Sequence, residues 1–240
     1  SLDRSSAASD VYKRQVITCI LSLPFFYCGA RSVPSLRTMT DAQENFDVIL
    51  TKYKTAGEIA AKAMRTLVDA AQEGKTVLEL MQLGDEAVEQ GTAAVFKDKK
   101  MSKGLAFPTT VSINHVVCNY APLPSDEASK TQLKNGDVVK FQLGAQIDGY
   151  PAVLGETVVV GASAQNPVTG RAADVIKAAH TAADVAIRLM RPGMLNHDVG
   201  KQIEQSIKDF DVRGVDGMKT NQFSNCLLYT SDAADERSSG

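Results

Sequence analysis

The chain of 240 residues has few of the features that mark specialised protein classes. It contains 4 cysteines, 8 prolines, 17 glycines and no tryptophan. Four cysteines in so long a chain do not make a disulfide framework, and the modest proline and glycine content excludes a collagen-like or low-complexity protein. No apolar run reaches the length of a membrane span. What is present, 44% hydrophobic and 22% charged residues, is the composition of an ordinary globular protein.

Charge and sequence motifs exclude further classes. The formal net charge is −2, which disfavours a broadly basic nucleic-acid-binding protein but is compatible with a local basic patch. The chain has no P-loop, no dinucleotide-binding glycine fingerprint, no C-x-x-C pair and no H-E-x-x-H motif. The histidines His115, His180 and His197 are far apart in sequence. We therefore predict solvent-exposed or packing roles for His180 and His197 rather than metal binding.

The two ends of the chain are related at the level of DNA. Residues 5–15 read SSAASDVYKRQ and residues 226–236 read CLLYTSDAADE. One coding sequence for the first peptide, reverse-complemented and read one base out of frame, encodes CLLYTSDAAD. We interpret both peptides as a translated sequencing adapter. Residues 1–15 and 226–240 are accordingly excluded from reasoning about the fold.

The segment 16–38 is interpreted as untranslated upstream sequence, with Met39 as the native start. The alternative is a secretion signal, because basic residues precede an apolar run; those basic residues, however, belong to the adapter. The expected organisation is a non-native extension over 1–38, an incomplete domain over 39–225 and an adapter-derived tail over 226–240. Cys118 is then the one cysteine expected to be native, which fits a reducing compartment.

Hydrophobic periodicity over 39–225 predicts an α+β fold. Apolar residues recur at helical spacing after a possible cap at Thr40-Asp41, and again after Thr76. Residues 104–122 alternate as in a strand, and Asp148-Gly149 is a hairpin-turn dipeptide between two further strands. Two helices follow, the second capped by Asn196. We predict helices on one face of a mainly antiparallel sheet, in the order helix 46–74, helix 76–93, strands within 104–122, 137–146 and 152–161, helix 169–192 and helix 199–210.

Four strings in this order resemble one family: TKYKTAGEIA (51–60), AFPTTVSINH (106–115), NGDVVKFQLGAQIDGY (135–150) and TGRAADVIKAAHTAAD (169–184). They resemble the proliferation-associated, Erb-receptor-binding proteins of eukaryotes, which are similar to type-2 methionine aminopeptidases that have lost catalysis. The resemblance implies the pita-bread (creatinase/aminopeptidase-like) fold. This chain would contain its N-terminal half and the start of the second half.

The resemblance also implies which residues stand at the metal positions of an active aminopeptidase. Such an enzyme holds two divalent metals with bridging carboxylates and histidine. Gln142 and Val153 match the first two aspartates, Asn119 matches the substrate-facing histidine, and Asn221 matches the metal-binding histidine. We therefore expect no metal cofactor and no catalytic residue at these degenerate positions. Asp148 and Glu156 are nearby, and we interpret them as turn or solvent-facing carboxylates.

The predicted function is a non-catalytic scaffold that regulates growth and translation. The family resemblance implies binding to structured RNA or ribosomes, contacts with regulatory proteins, a cytoplasmic and nuclear or nucleolar location, and no membrane association. Four cations at the candidate phosphate contacts, Lys97, Lys99, Lys100 and Lys103, could bind RNA with low specificity. A solvated linker is the equal alternative for that segment. The two rival functions are an active methionine aminopeptidase and a protein-interaction scaffold without an RNA role.

Overall fold

The computed structural model describes residues 36–97, 100–191, 193–215, 222–224 and 227–229, with side chains described between 46 and 215 of those ranges. Two short 3-10 helices, Glu127–Lys130 and Lys208–Phe210, accompany the main elements. The main helices and strands are, in chain order, α1 Leu36–Ala70, α2 Val77–Ala94, β1 Lys103–Ile113, β2 Val138–Ile147, β3 Tyr150–Val159, α3 Gly170–Leu189, α4 Asn196–Ile207, β4 Gln222–Ser224 and β5 Leu227–Tyr229.

Helix α1 is longer at its start and shorter at its end than the sequence predicts. It begins at Leu36, so the predicted cap at Thr40-Asp41 is wrong: the helical backbone continues through both residues. It ends at Ala70, and Gly74 follows in a left-handed conformation with φ of +86°. The predicted apolar stripe is confirmed, because its buried side chains recur at three- and four-residue spacing: Ala56, Ile59, Ala60, Ala63, Met64 and Leu67.

Helix α2 starts with the capping residue predicted at Thr76. The Thr76 hydroxyl accepts the backbone N–H of Glu79 at 3.2 Å, and the Thr76 N–H donates to the Glu79 carboxylate at 3.0 Å. This reciprocal capping box satisfies two donors that the first turn would otherwise leave unpaired. The hydrogen bond from the Thr76 backbone lowers the pKa of Glu79, because it favours the ionised carboxylate.

Strands β1, β2 and β3 form one antiparallel sheet in sequential order. Asp148 and Gly149 form the β2–β3 turn with φ of +54° and +79°, so the predicted hairpin is confirmed; two positive φ angles are typical of a type I′ turn. Strand β1 ends at Ile113 instead of continuing to 122. The chain there turns back along β1, where the Val111 N–H donates to the Tyr120 carbonyl at 2.9 Å.

One face of the sheet packs against α1 and α2. Alternate residues of β2 are fully buried there, as expected for a strand whose side chains point to opposite faces in turn: Val139, Phe141, Leu143, Ala145 and Ile147. The two helices approach closely, because an ideal Cβ on Gly91 of α2 would lie 2.6 Å from Ile59 Cγ2 of α1. The prediction of helices on one sheet face is therefore confirmed for α1 and α2.

Helices α3 and α4 contribute to a second hydrophobic cluster with small side chains, including Ala178, Ala182 and Ala186. The predicted cap at Asn196 is wrong. Helix α4 already includes Asn196, Leu195 is at the N-cap position, and the Asn196 side chain accepts the adjacent His197 N–H. Of the helices in the described ranges, none is long and apolar enough to cross a membrane. Strand β5 pairs with β4, so this hairpin crosses the tail boundary proposed at 226.

Candidate functional site

The two positions that the sequence resemblance matches to metal-binding aspartates lie on one face of the sheet. Val153 of β3 is registered opposite Gly144 of β2, and Gly144 is two residues from Gln142. Directly opposed residues share a face, as do residues two apart on a strand. Gln142 and Val153 therefore project from the face opposite α1 and α2. The structure brings together the pair that the sequence resemblance identified.

Val153 is part of the packed sheet rather than an open ligand position. Its side chain is 6% exposed. An ideal Cβ on Gly144 would lie 3.0 Å from Val153 Cγ2 and 3.2 Å from Phe107 Cβ. The valine methyls thus occupy the space beside the glycine. A carboxylate at this position would be buried among apolar atoms, which is costly without a cation or hydrogen-bond donors.

A buried lysine lies on the same face. Lys140 is 2% exposed and donates from Nζ to the Asn114 carbonyl at 2.8 Å. Asn114 has a φ of +49° and its side chain joins β2, donating to Asp137 and accepting the Val138 N–H. Because this network spans 26 residues of sequence, composition and spacing did not reveal it. The lysine within the string KFQLG was the one available signal.

Two further groups surround this network. Thr110 is registered opposite Gln142, and its buried hydroxyl has no hydrogen-bond partner among the described residues. Cys118 is a free, half-buried cysteine. Burial raises the pKa of its thiol, and the nearby positive charge of Lys140 partly opposes that rise. The raised pKa disfavours the thiolate, which is the form of cysteine that acts as a nucleophile and metal ligand.

The remaining predicted positions lie in a loop, in a turn, on the other sheet face or outside the described residues. Asn119 is an exposed residue of the loop after β1, with φ of +56°, and Asn221 lies outside the described residues. Asp148 is in the hairpin turn. Glu156 is registered opposite Phe141 and so lies on the opposite face of the sheet from Gln142. Neither carboxylate is directed to the face that carries Gln142 and Val153.

The donors on this face do not fit a pair of divalent metals. Two close cations repel strongly, and shared carboxylates must offset that repulsion. A neutral carboxamide and an isopropyl group supply no negative charge. In the part of the chain that the structure describes, no cluster of three or more His, Cys, Asp or Glu residues could hold a metal ion. His115, His180 and His197 are all exposed.

The candidate RNA segment lies between α2 and β1. Lys97 and Lys100 are exposed, whereas Lys99 lies outside the described residues. Lys103 begins β1 and is half-buried, and its Nζ donates to the Val95 carbonyl at 2.7 Å. The described cations of this segment are therefore two solvent-facing lysines and one lysine already bonded to the end of α2.

A three-stranded antiparallel sheet with two helices packed on one face agrees with the aminopeptidase-like architecture that the sequence resemblance implies. The model of metallopeptidase family M24 matches residues 51–227. The chain belongs to this family, and its fold is the pita-bread fold.

The relatives narrow the resemblance to one branch of that family. The chain is 40% identical to ERBB-3 BINDING PROTEIN 1 of Solanum tuberosum, over 75% of this chain and 46% of the relative. It is 36% identical to Proliferation-associated protein A of Dictyostelium discoideum, over 75% and 46%. A solved structure of a thermophilic Arx1 superimposes with a TM-score of 0.59 at 30% identity, over 68% of this chain and 49% of that one. The chain thus spans about half the length of the curated relatives it matches, and the predicted family resemblance is confirmed.

Proposed function

We propose that the chain is part of a non-catalytic, aminopeptidase-like scaffold that acts through binding. The observation that carries this proposal is the pair Gln142 and Val153, which share one sheet face where an M24 enzyme would need carboxylates. Val153 is also buried and packed against Gly144, so its side chain fills the space that a metal-binding carboxylate would need. Metal-dependent methionine aminopeptidase activity is the rival function.

Calorimetric titration and a methionine-release assay separate these two functions. We expect neither Co²⁺ nor Mn²⁺ to bind stoichiometrically, and no methionine to leave a peptide substrate. The double substitution Gln142→Asp, Val153→Asp should also be inactive, because Asn119 and Asn221 would still stand where histidines are needed. Methionine release by the unmodified chain, abolished by a chelator, would refute the non-catalytic assignment.

The proposed ligand of the scaffold is structured RNA, alone or in the ribosome. Lys97, Lys99, Lys100 and Lys103 are the proposed phosphate contacts, and the exposed side chains of Lys97 and Lys100 support this role. Lysines without an accompanying row of stacking aromatics favour backbone contacts over base reading. Replacing the four lysines with alanine should weaken binding and reduce the slope of log K against log salt by about 0.9 for each phosphate that is no longer neutralised. Unchanged affinity at low salt would favour the protein-interaction scaffold instead.

Three expectations accompany this proposal. The protein would act in the cytoplasm and the nucleus or nucleolus, as the resemblance implies, with regulatory proteins as further partners. Residues 39–225 would be the native part of an incomplete domain. Residues 1–38 and 226–240 would derive from untranslated and adapter sequence, and an independent transcript across both junctions would test that origin.

A further inference from the structure

The β2–β3 turn is attached directly to the basic segment. The Asp148 N–H donates to the Ser102 carbonyl at 2.6 Å, and Gln146 Nε2 donates to the Ser102 hydroxyl at 3.1 Å. Lys103 is registered opposite Ile147, the residue before Asp148. Lys100 is two residues before Ser102, so its Cα lies within about 8 Å of Ser102 Cα. The turn that carries Asp148 thus lies next to the segment that carries the proposed RNA contacts.

Helix α1 supplies the counter-charge for this carboxylate. Lys52 Nζ lies 2.5 Å from Asp148 Oδ2, with side-chain exposures of 17% for the lysine and 41% for the aspartate. The same ammonium group is 5.2 Å from the ring centroid of Tyr150, which packs edge-on against Tyr53. Lys52 therefore contacts both the Asp148 carboxylate and the Tyr150 ring. The two residues of the ion pair are 96 positions apart in sequence.

An uncompensated carboxylate beside a phosphate-binding segment would repel RNA. Surface charge interactions are weak and act within about a Debye length. Lys52 can cancel the charge of Asp148 without itself contacting the ligand, because the ammonium group is largely buried against the turn and the Tyr150 ring.

We propose that Lys52 is a positioning residue for RNA binding: it neutralises Asp148 and so allows the phosphate backbone to approach Lys97, Lys100 and Lys103. This inference rests on the proposed RNA contact of the basic segment. Lys52 belongs to α1, and it affects RNA binding by neutralising Asp148, without contacting the RNA itself.

The test is a charge-neutralisation double-mutant cycle on the full chain, with a fluorescein-labelled RNA hairpin and fluorescence anisotropy at low salt. Asp148→Asn should tighten binding about two- to fivefold, and Lys52→Met should weaken it by a similar factor. The double variant should bind like the unmodified chain. Asn-Gly is a favoured type I′ turn sequence, so Asp148→Asn keeps the hairpin, and thermal unfolding of each variant checks this. All differences should shrink as salt rises.

Glu127→Gln is the matched control. Glu127 pairs with Lys130 at 2.8 Å, so this variant also removes one carboxylate from a lysine ion pair. Its 3-10 helix adjoins the start of α2 through the Val77 N–H to Thr131 bond, whereas the basic segment follows the end of α2, about 27 Å along the helix. We expect its affinity to be unchanged.

The possible failures are distinguishable. If Lys97→Ala and Lys100→Ala leave binding unchanged, the proposed RNA contact is wrong. If those two variants weaken binding but Asp148→Asn has no effect, only the role of Lys52 is wrong. A double variant as weak as Lys52→Met would show that Lys52 contacts RNA directly, which also overturns the proposal. If the Glu127→Gln control also bound RNA more tightly, the effect of Asp148→Asn would come from the change in net charge, and the proposed role of Lys52 would be wrong.

Discussion

At the scale of single residues, the Thr76 hydroxyl and the Glu79 carboxylate decide how α2 begins. Replacing Thr76 with alanine removes the acceptor for the Glu79 N–H, and loss of an N-cap typically costs about 1 kcal/mol. Urea unfolding should report this loss. Thr66→Ala is the matched control, because Thr66 is an exposed residue near the end of α1, away from any N-cap, whose hydroxyl only donates back to Lys62. Its effect should be within about 0.5 kcal/mol.

The Glu79 half of the cap adds a pH dependence. Because the pKa of Glu79 is lowered in the folded state, its contribution is complete above the ordinary pKa of a glutamate. The contribution is lost as pH falls through the lowered pKa. The stability difference between the unmodified chain and Glu79→Gln should therefore narrow in acid. A difference that widens as pH falls would contradict the cap geometry.

The sequence predicts only those relationships in the candidate site that join residues close together in the chain. Gln142 and Val153 lie at fixed distances on either side of Asp148-Gly149, so once the turn is recognised their shared face follows from strand alternation. The burial of Lys140 and the pairing of Lys52 with Asp148 join residues 26 and 96 apart. No local pattern encodes such contacts, because they depend on which elements pack together.

At the scale of elements, the contact between α1 and α2 depends on the small size of Gly91. A Cβ there would lie 2.6 Å from Ile59 Cγ2, and overpacking of this kind typically costs 1–3 kcal/mol. Gly91→Ala should therefore destabilise the chain in urea unfolding despite the better helix propensity of alanine. Combining it with Ile59→Leu, which removes the β-branch methyl, should recover part of the loss.

Gly57→Ala serves as the control for that prediction. An ideal Cβ on Gly57 meets no atom within 4 Å, so the substitution should stabilise α1 by up to about 1 kcal/mol. If Gly91→Ala stabilised the chain as much as Gly57→Ala, the close helix contact would be refuted.

Helices and turns were predicted more reliably than their exact limits. The Asp148-Gly149 turn and the Thr76 cap depend on a few adjacent residues, and both are confirmed. The cap at Thr40-Asp41 failed because the residues before it are already helical. The cap at Asn196 is displaced by one residue, since Leu195 has extended backbone and occupies the N-cap position, and sequence patterns do not fix a helix limit to within one residue. The strand expected to 122 ends at Ile113 because the chain after it folds back along β1, a tertiary contact that alternation does not encode.

At the scale of the whole molecule, the described residues form two hydrophobic clusters that differ in the size of their buried side chains. The first combines large side chains from α1, α2 and the sheet, such as Leu67, Leu80 and Phe141. The second, from α3 and α4, contains four buried alanines. Since hydrophobic stabilisation scales with the apolar area buried, the second cluster should open more readily.

Native-state hydrogen exchange tests this difference. Backbone amides in the middle of α3 should exchange with a lower opening free energy than those of β2. Mild denaturant should narrow the gap, because global unfolding exposes more surface than opening of α3 alone and its free energy falls more steeply. The interior of α2 is the control, because it belongs to the first cluster and is also helical. Equal protection in α3 and α2 would contradict the division into two units of unequal stability.

The contact between Tyr53 and Tyr150 also determines how the molecule can be observed. The ring centroids are 5.2 Å apart at an interplanar angle of 66°, and burial together with the neighbouring Tyr150 raises the pKa of Tyr53. Because the chain has no tryptophan, its near-ultraviolet absorption and emission come mainly from tyrosine. Coupled rings in a fixed geometry produce circular dichroism in that region. Docking of the β2–β3 turn onto α1 is thereby visible optically, without any introduced label.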